Sequence, residues 1–420
     1  MHLVVIGLGY VGLPLVYAAS KAGIKVSGYD TNTHVVGQLN SGLSHVDDIS
    51  NSQISEIVKM GFQATSSSEV FGNADVIVIC VPTPLSESGG PDLSFVENAT
   101  EIISKNMTSN TLVVLESTTY PGTTEQVLLP KLRESGLTLD SDFWLAFSPE
   151  RIDPGNKFFT ITNTPKVVGG VTENSTTKAV DFYERFIESV VVAKGAKEAE
   201  MAKLLENTYR HVNIALVNEL AQLCELLNID LWDSIKSAST KPFGYQAFWP
   251  GPGVGGHCIP IDPNYLSHHV KFELGRPFRF VELAQEINES MPGYIFSRVQ
   301  QNLNNLGKPV KGSKILLLGV TYKSNIADQR ESPVRPLAEK LIANGGQIKY
   351  YDPHVKSWNV GAKGEFESIS NESLVQECSS SDIVIILQAH EKIDFDIVLA
   401  ESRNILDTRG MFVGENVERL

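Results

Sequence analysis

The segment GVGGHCIPIDP, residues 253–263, places Cys258 after a run of glycines and ahead of two prolines. Gly255 and Gly256 carry no side chains that would block approach to the sulfur, and the prolines stiffen the loop behind it. The thiolate is the nucleophilic form of cysteine, so this thiol could attack a substrate if its pKa is lowered. The segment therefore predicts a cysteine nucleophile.

The other cysteines predict no such chemistry. Cys80 lies in an apolar strand pattern, and Cys224 and Cys378 lie in helical patterns, where a free cysteine serves as a small buried hydrophobe. The four cysteines lack CxxC spacing and histidine clusters, so neither a disulfide framework nor a metal site is expected. His257, beside Cys258, could act as a base, although a binding or structural role is preferred.

A glycine-rich turn near the start of the chain predicts a dinucleotide site. Gly7, Gly9 and Gly12 in GLGYVG follow an apolar strand, with the spacing that permits a tight turn and close approach to a pyrophosphate. Asp30, at the end of the second strand, is placed to accept hydrogen bonds from an adenosine ribose. An acid there repels a 2′-phosphate, and residues 31–33 include no arginine, so NAD is expected rather than NADP.

Two further groups of polar residues could do chemistry. Lys203, Asn207 and Arg210 have i, i+4 and i+7 spacing, so they share one helix face, which is either functional or a solvated stripe. Glu150, in FSPERIDPGN, follows a strand pattern at the carboxyl edge of a sheet, where α/β proteins bind ligands. It could be a general base or a salt-bridge partner.

The elements that must position these residues predict an α/β fold: two Rossmann-like, doubly wound parallel-sheet domains joined by a long central helix. Buried strand patterns at 74–84 and 111–119 continue the first βαβ unit, separated by helical patterns. Residues 196–228 contain no proline or glycine and have the apolar spacing of a helix about 50 Å long. The predicted domains are 1–195, 196–305 and 306–420.

The C-terminal part repeats the order of elements of the N-terminal part. Its strand patterns lie at 314–323, 348–353, 382–390 and 404–410, after a linker pattern at 303–314. Its turn, GVTYKSN, has one glycine in place of three, so the dinucleotide fingerprint is absent. We expect this lobe to bind a different phosphorylated ligand, with Lys323 and Arg330 as local cations.

Composition restricts the partners of this 420-residue chain. Lysine and arginine total 35 against 49 acids, and the net charge of −14 argues against binding nucleic acid or an anionic membrane by bulk charge. Residues 3–19 are uncharged but follow no positive region, so they indicate neither a signal peptide nor a membrane span. The dispersed cysteines fit a reducing cytoplasm.

A resemblance to a known family rests on several motifs in one order. GLGYVG, VPTP (81–84), EST (116–118), SPER, AKLLENTYR, GVGGHCIPIDP and TYKSNIADQRESP together extend over nearly the whole chain. The chain resembles the nucleotide-sugar 6-dehydrogenases, which include the UDP-glucose and UDP-N-acetylhexosamine dehydrogenases. The resemblance implies a four-electron oxidation of a sugar C6 alcohol to a carboxylate, with two NAD consumed. Cys258 would form a thiohemiacetal and then a thioester that water cleaves.

The resemblance also implies roles for other residues. Lys203 and Asn207 would stabilise the oxyanions. Glu150 and Asp262 would handle protons and the hydrolytic water, which Thr118 would help to position. The implied NAD contacts are Gly7, Gly9, Tyr10, Val11, Gly12, Asp30, Pro82, Thr83, Thr118 and Arg330. The implied UDP-sugar contacts are Glu150, Arg151, Lys203, Asn207, Arg210, Gly255, His257 and Lys323, with Lys323 at the UDP phosphates.

The same motifs bear on the substrate and the assembly. UDP-glucose enzymes usually have Phe-Leu where residues 151–152 are Arg-Ile, Ser or Tyr at His257, and lysine at Ile261. The motifs resemble instead the UDP-N-acetylhexosamine enzymes, in which the arginine matching Arg210 lies near the sugar. UDP-N-acetylglucosamine is the expected substrate, with UDP-glucose, UDP-ManNAc and UDP-GalNAc as alternatives, and capsule, O-antigen or another envelope polysaccharide as the destination. The family implies at least a homodimer built on the long helix.

Two other functions fit parts of the sequence. A two-electron 3-hydroxyacid or 6-phosphogluconate dehydrogenase shares the first lobe and the long helix, but it has no use for Cys258 or the second lobe. A non-catalytic NAD-binding regulatory or scaffold protein would not need Cys258 together with Lys203, Asn207, Glu150 and Asp262. The four-electron dehydrogenase is therefore the favoured interpretation.

Overall fold

The computed structural model describes residues 1–46, 48–86, 90–153, 156, 158–256 and 258–420. The chain divides into two compact units. The first unit comprises Met1–Glu206 and Asn264–Arg276, and the second comprises Asn207–Pro263 and Pro277–Leu420. The division into three domains at residues 195 and 305 stays a prediction. Within the described ranges, no helix combines the length and the apolar character needed to cross a membrane.

The first unit is built on an eight-stranded sheet with the order β3-β2-β1-β4-β5-β6-β7-β8. The strands are β1 (His2–Ile6), β2 (Lys25–Tyr29), β3 (Gln63–Thr65), β4 (Val76–Ile79), β5 (Thr111–Leu115), β6 (Phe143–Phe147), β7 (Lys166–Gly170) and β8 (Val190–Val192). The first six strands have the order of a dinucleotide-binding Rossmann sheet. In such a sheet the ligand binds at the carboxyl ends, where the strand order reverses between β1 and β4.

Hydrophobic cores cover both faces of this sheet. Leu3 and Val5 pack into one core, and Val4 and Ile6 pack into the other, because successive side chains of a strand point to opposite faces. The covering helices include α1 (Gly12–Lys21), α2 (Thr33–Asn40), α3 (Asn51–Lys59), α4 (Ser94–Asn106), α5 (Leu129–Arg133) and α6 (Glu173–Tyr183). A π-helical turn, Thr124–Leu128, precedes α5. Double coverage explains why the strands read as continuous apolar runs.

Two helices contribute residues to both units. α7 (Ala196–Leu226) is the predicted long helix, and its 31 residues span about 46 Å. It ends two residues before the predicted end because Asn228 adopts a left-handed conformation, with φ +53°, which terminates helices. α9 (Asp262–Leu274) begins four residues after Cys258.

The second unit contains a five-stranded parallel sheet with the order β10-β9-β13-β14-β15, the 2-1-3-4-5 order of a doubly wound fold. Its strands are β9 (Lys314–Leu318), β10 (Gln347–Tyr351), β13 (Ile383–Ile386), β14 (Ile405–Asp407) and β15 (Val417–Arg419). An antiparallel pair joins β11 (Ser357–Asn359) to β12 (Glu365–Glu367). The helices are α8 (Leu231–Ala238), α10 (Arg279–Asn305), α11 (Val334–Ala343), α12 (Leu374–Ser380) and α13 (Phe395–Glu401). Short 3₁₀ turns lie at Ser68–Asn73, Gly361–Lys363 and Asn371–Ser373.

The predicted α/β fold class, with two Rossmann-like domains and a long central helix, is confirmed, and three details differ. The first sheet is not wholly parallel, because β7 runs antiparallel to β6. The sequence analysis does not predict β3, β7, β8, β11, β12 or β15, and all of these except β7 have only three residues, too few to show an apolar period. The linker expected from residue 303 begins later, because α10 continues to Asn305.

Candidate active site

The turn after β1 fits a bound pyrophosphate. Gly7 has φ +87°, and a Cβ atom there would lie 2.5 Å from the carbonyl oxygen of Cys80. A Cβ atom at Gly12 would overlap the carbonyl oxygen of Gly7, whereas one at Gly9 would meet nothing within 4 Å. Gly7 and Gly12 therefore permit the tight turn and its close packing, and Gly9 leaves open the space that a phosphate needs.

Asp30 follows β2 directly and is half-buried. Its Oδ2 atom accepts a hydrogen bond from the Leu8 N–H at 3.0 Å, and its Oδ1 atom accepts one from the Asn32 N–H at 2.9 Å. These bonds fix the carboxylate beside the glycine turn and leave further lone pairs for ribose hydroxyls. The arrangement fits NAD.

Five more predicted cofactor residues lie near the carboxyl edge of the first sheet. Tyr10 and Val11 complete the turn before α1, Pro82 and Thr83 follow β4, and Thr118 follows β5. All are half-buried except Pro82, which is exposed. This edge, at the reversal of strand order, is where open α/β sheets bind their ligands.

The turn after β9 in the second unit has the same positive-φ glycine and the same N–H to carboxylate hydrogen bond as the turn after β1, but its carboxylate is buried. Gly319 has φ +78°, and the Val320 N–H donates to Asp352 at 2.8 Å, as Leu8 does to Asp30. Asp352 is only 3% exposed, however, and its carboxylate also contacts the buried His390 Nε2 at 3.1 Å. A carboxylate enclosed by protein in this way cannot receive a ribose, which fits the missing dinucleotide fingerprint.

Glu150 and Lys203 form a buried pair in the first unit. The Lys203 ammonium donates to the Glu150 carbonyl oxygen at 2.5 Å and lies 3.5 Å from the Glu150 Oε2 atom. The Ile152 N–H donates to the Glu150 carboxylate. Burial raises the pKa of Glu150, although the nearby Lys203 charge opposes the shift. Glu150 is therefore both a salt-bridge partner and a carboxylate able to hold a proton at higher pH than usual.

Asn207 and Asp262 form a buried pair in the second unit. The Asn207 Nδ2 atom donates to the Asp262 Oδ2 atom at 2.6 Å, and these residues are 4% and 2% exposed. Cys258 is half-buried, and its carbonyl oxygen accepts the Asp262 N–H at 2.8 Å. Lys203 and Asn207 are both buried, so the interpretation of this helix face as a solvated stripe is wrong for them. Arg210, on the same face, is exposed.

The glycines before Cys258 have a contact role that the sequence does not predict. A Cβ atom at Gly255 would lie 2.6 Å from the Tyr322 side chain and 2.8 Å from the Glu331 carbonyl oxygen. Gly256 has φ +85°, and its N–H donates to the Arg330 carbonyl oxygen at 3.1 Å. These glycines let the cysteine loop pack closely against residues 322–333.

The predicted ligand-binding residues Arg151, Lys323 and Arg330 differ in exposure and in hydrogen-bond partners. Arg151 donates to the Pro165 carbonyl oxygen and pairs with Glu206, both at 2.7 Å. In the second unit, Lys323 is half-buried, and the exposed Arg330 forms an ion pair with Asp328 at 2.6 Å. His257 lies outside the described residues.

Sequence reasoning missed two buried carboxylates of the first unit. Glu116 follows β5, two residues before Thr118, and pairs with Lys166 at 3.0 Å. Glu200 precedes Lys203 by one helical turn and accepts the Thr124 N–H at 2.9 Å. A glutamate in the EST motif, and one at i−3 from a predicted active-site lysine, are the signals that could have found them.

Family models match the chain in sequence order. The NAD binding domain of the UDP-glucose/GDP-mannose dehydrogenase family matches residues 1–187. The central domain of that family matches residues 197–290, and its UDP binding domain matches residues 316–414.

Relatives match this chain over nearly its whole length. A UDP-N-acetyl-D-mannosamine dehydrogenase from Methanococcus maripaludis is 34% identical, with 97% of this chain and 92% of the relative covered. An NDP-N-acetyl-D-galactosaminuronic acid dehydrogenase from Ralstonia nicotianae is 33% identical, with 98% and 96% covered. The solved structure of a UDP-D-ManNAc dehydrogenase from Pyrococcus horikoshii has a TM-score of 0.90 at 31% identity, with 100% and 99% covered. The chain therefore belongs to the UDP-glucose/GDP-mannose dehydrogenase family of NAD-dependent nucleotide-sugar dehydrogenases.

Proposed function

We propose that this protein oxidises the C6 hydroxyl of a UDP-N-acetylhexosamine to a carboxylate, with Cys258 as the nucleophile. The observation that carries the proposal is on α7, where Lys203 and Asn207 lie one turn apart and each is buried against an acid. Buried ammonium and amide donors beside carboxylates suit a reaction that develops negative oxygen and releases protons. The match of residues 316–414 to a UDP binding domain supports a UDP-linked sugar.

The proposed chemistry balances as two oxidations and one hydrolysis. The alcohol becomes an aldehyde, to which the Cys258 sulfur adds to form a thiohemiacetal, and oxidation of that adduct gives a thioester. Water cleaves the thioester and restores the thiol. NAD held at the turn of Gly7, Gly9 and Gly12 would supply the hydride acceptor for each oxidation. The alcohol, one water and two NAD thus give a carboxylate, two NADH and three protons.

The predicted catalytic and substrate-binding residues have the following roles in this proposal. Lys203 and Asn207 donate hydrogen bonds to the oxyanions, and Glu150 accepts the protons. Asp262 orients the Asn207 amide, and Thr118 positions the hydrolytic water. Lys323 binds the UDP phosphates, Arg330 contacts NAD, and Arg151, Arg210, Gly255 and His257 line the sugar.

UDP-N-acetyl-D-mannosamine is the first substrate to test. The relatives described above carry manno or galacto names, which supports the manno sugar over the expected UDP-N-acetylglucosamine. The gluco sugar remains the second candidate, because the motifs that favour an N-acetylhexosamine do not distinguish its epimers. We also propose that the product serves envelope polysaccharide synthesis and that the protein works in the cytoplasm, where its four cysteines stay reduced.

A homodimer formed through α7 is part of the proposal. Leu205, Leu216, Leu223 and Leu226 form an exposed row on one side of α7, here called the α7 leucine row. Between 49% and 84% of each of these residues is exposed. Contiguous exposed apolar side chains mark interaction sites in soluble proteins.

The first experiment counts NADH per sugar consumed with UDP-ManNAc, UDP-GlcNAc, UDP-GalNAc and UDP-glucose. We expect two NADH per N-acetylhexosamine in the wild type and no carboxylate product from Cys258→Ser. Cys224→Ser is the matched control, because Cys224 is also a half-buried cysteine. One NADH per sugar would contradict the thioester route, and a hundredfold preference for UDP-glucose would contradict the N-acetylhexosamine assignment.

A further inference from the structure

A buried cluster lies beside Glu150 in the first unit. Glu116 is 1% exposed, and its Oε1 atom accepts the Tyr183 hydroxyl at 2.5 Å and pairs with the Lys166 ammonium at 3.0 Å. Lys166 and Tyr183 are 4% and 0% exposed. These residues come from the end of β5, the start of β7 and the end of α6. The functional roles described so far use none of them.

A narrow cavity connects this cluster to Glu150 and to the surface. Its volume is about 10 Å³, about the smallest that holds one water molecule. It is lined by Glu116, Glu150, Arg151, Ile152, Ile161, Thr164, Pro165 and Lys166. Pro165 is exposed and Thr164 is half-buried, whereas Glu116, Glu150 and Lys166 are buried. The lining therefore extends from buried charges to solvent.

One atom of this lining needs a further hydrogen bond. Both bonds of the Glu116 carboxylate are made by Oε1, and within the described part of the chain the buried Oε2 atom has no hydrogen-bond partner. A buried carboxylate oxygen without a partner is costly, so such atoms are normally satisfied by ordered water. A water in the cavity would satisfy it.

We propose that a water molecule in this cavity carries protons from Glu150 to bulk solvent, and that Glu116 is the positioning residue that holds this water. The proposal rests on the proposed function, in which Glu150 accepts the protons. In the first oxidation, the Glu150 carboxylate takes the proton of the C6 hydroxyl as that O–H bond breaks and the hydride leaves. Glu150 passes this proton to the cavity water, which releases one of its own protons to bulk water beside Thr164 and Pro165. Glu150 returns to the carboxylate, Glu116 takes part through hydrogen bonds alone, and no further reactant is consumed.

The charges around Glu150 fit this role. Burial raises the pKa of Glu150, the ammonium groups of Lys203 and Lys166 lower it, and the Glu116 carboxylate raises it. Because Glu116 raises the pKa of the proton acceptor, removing its charge lowers that pKa. The acid limb of the pH–rate profile then moves to lower pH in Glu116→Gln.

The test separates proton transfer from simple support of the fold. Glu116→Gln keeps the shape of the side chain but leaves the Lys166 charge buried without its carboxylate. The double variant Glu116→Gln/Lys166→Met removes both charges together, so neither charge is left buried without its partner. We expect the melting temperature of the double variant to return to that of the wild type. Its kcat stays about tenfold or more below wild type, with unchanged KM values and a larger solvent deuterium isotope effect.

A double variant with the wild-type kcat and isotope effect would overturn the proposal while the wild type still makes two NADH per sugar. Absence of NADH from the wild type with every UDP-sugar would instead overturn the proposed function, and the proton route with it. A crystal structure of the wild type gives a readout independent of turnover. Density for a water within hydrogen-bond distance of Glu116 Oε2 is expected, and an empty cavity would overturn the proposal.

Discussion

Buried glutamates of the first unit have different chemical behaviour because different partners surround them. Glu116 pairs with the Lys166 ammonium at 3.0 Å, whereas the Glu150 carboxylate lies 3.5 Å from the Lys203 ammonium. Glu200, which is 0% exposed, forms no ion pair with any residue that the structure describes, and its carboxylate accepts hydrogen bonds from the N–H groups of Gly122 and Thr124 and from the Thr124 hydroxyl. It thereby ties the start of α7 to the turn that follows Thr118.

Glu200 makes the stability of the protein depend on pH. Burial raises its pKa from 4.5 to about 7, although hydrogen bonds from Thr124 and Gly122 oppose the shift. Because the pKa of Glu200 is higher in the folded state than in the unfolded state, protonation of Glu200 stabilises the fold. This stabilisation is fully present below the unfolded pKa of 4.5 and is lost as pH rises through the folded pKa of about 7. The whole window corresponds to about 3 kcal/mol. We expect Glu200→Gln, which stays neutral, to show a flatter melting temperature than the wild type between pH 5.5 and 8.

Melting curves at several pH values check this expectation. Glu198→Gln is the matched control, because Glu198 is exposed on the same helix, and it should follow the wild type. Equal pH dependence in the wild type and Glu200→Gln would contradict the assignment.

Residues that work through local sequence can be predicted, and those that depend on distant partners cannot. Asp30 and Glu150 follow their strands as the sequence predicts, because strand and turn patterns fix such positions. Glu116 and Glu200 bind partners 67 and 76 residues away, a separation that leaves no spacing pattern. The burial of Lys203 and Asn207 could not be predicted from the sequence either, because polar residues are equally common on a solvated helix face.

At the scale of elements, the two units share a strand–turn–helix design and differ in what encloses the turn. Apolar runs predicted β1, β4, β5, β9 and β13, since central parallel strands are buried on both faces. The edge strands β3, β8 and β15 were not predicted, because three residues are too few to show an apolar period. The turn after β1 keeps space for a ligand at Gly9, whereas a Cβ atom at Gly319 would lie 2.5 Å from the Gln388 side chain.

In the turn after β1, we expect one glycine-to-alanine substitution to weaken NAD binding and another to lower stability. Gly9→Ala adds a methyl group where nothing lies within 4 Å, so its melting temperature without NAD should equal that of the wild type. NAD binding should weaken about tenfold or more, because the backbone no longer approaches the pyrophosphate closely. Gly12→Ala forces a methyl group into the Gly7 carbonyl and should cost about 1–3 kcal/mol of stability.

Thermal melts without ligand and calorimetric titration with NAD separate these effects. Unweakened NAD binding by Gly9→Ala would mean that the pyrophosphate does not contact this turn. A normal melting temperature for Gly12→Ala would mean that the turn relaxes at little cost.

At the scale of the whole molecule, net charge and exposed apolar surface act in opposite directions. A chain with charge −14 repels its own copies, and this repulsion favours a monomer at low salt. The α7 leucine row favours association, because pairing would remove these side chains from water. If the α7 leucine row is the interface, burial of its apolar side chains outweighs the charge repulsion and the protein is a dimer. Higher salt should then strengthen the dimer, because it screens the repulsion.

The double variant Leu216→Glu/Leu223→Glu tests this balance, because these residues lie two turns apart at the middle of the row and are 51% and 49% exposed. Buried glutamates facing each other across the interface would add like-charge repulsion and desolvation cost. We expect sedimentation equilibrium to give twice the chain mass of 46.0 kDa for the wild type and 46.0 kDa for the double variant. Val413→Glu is the control, since Val413 is 85% exposed and lies outside α7. A wild-type monomer, or a double variant that stays dimeric, would show that the α7 leucine row is not the interface.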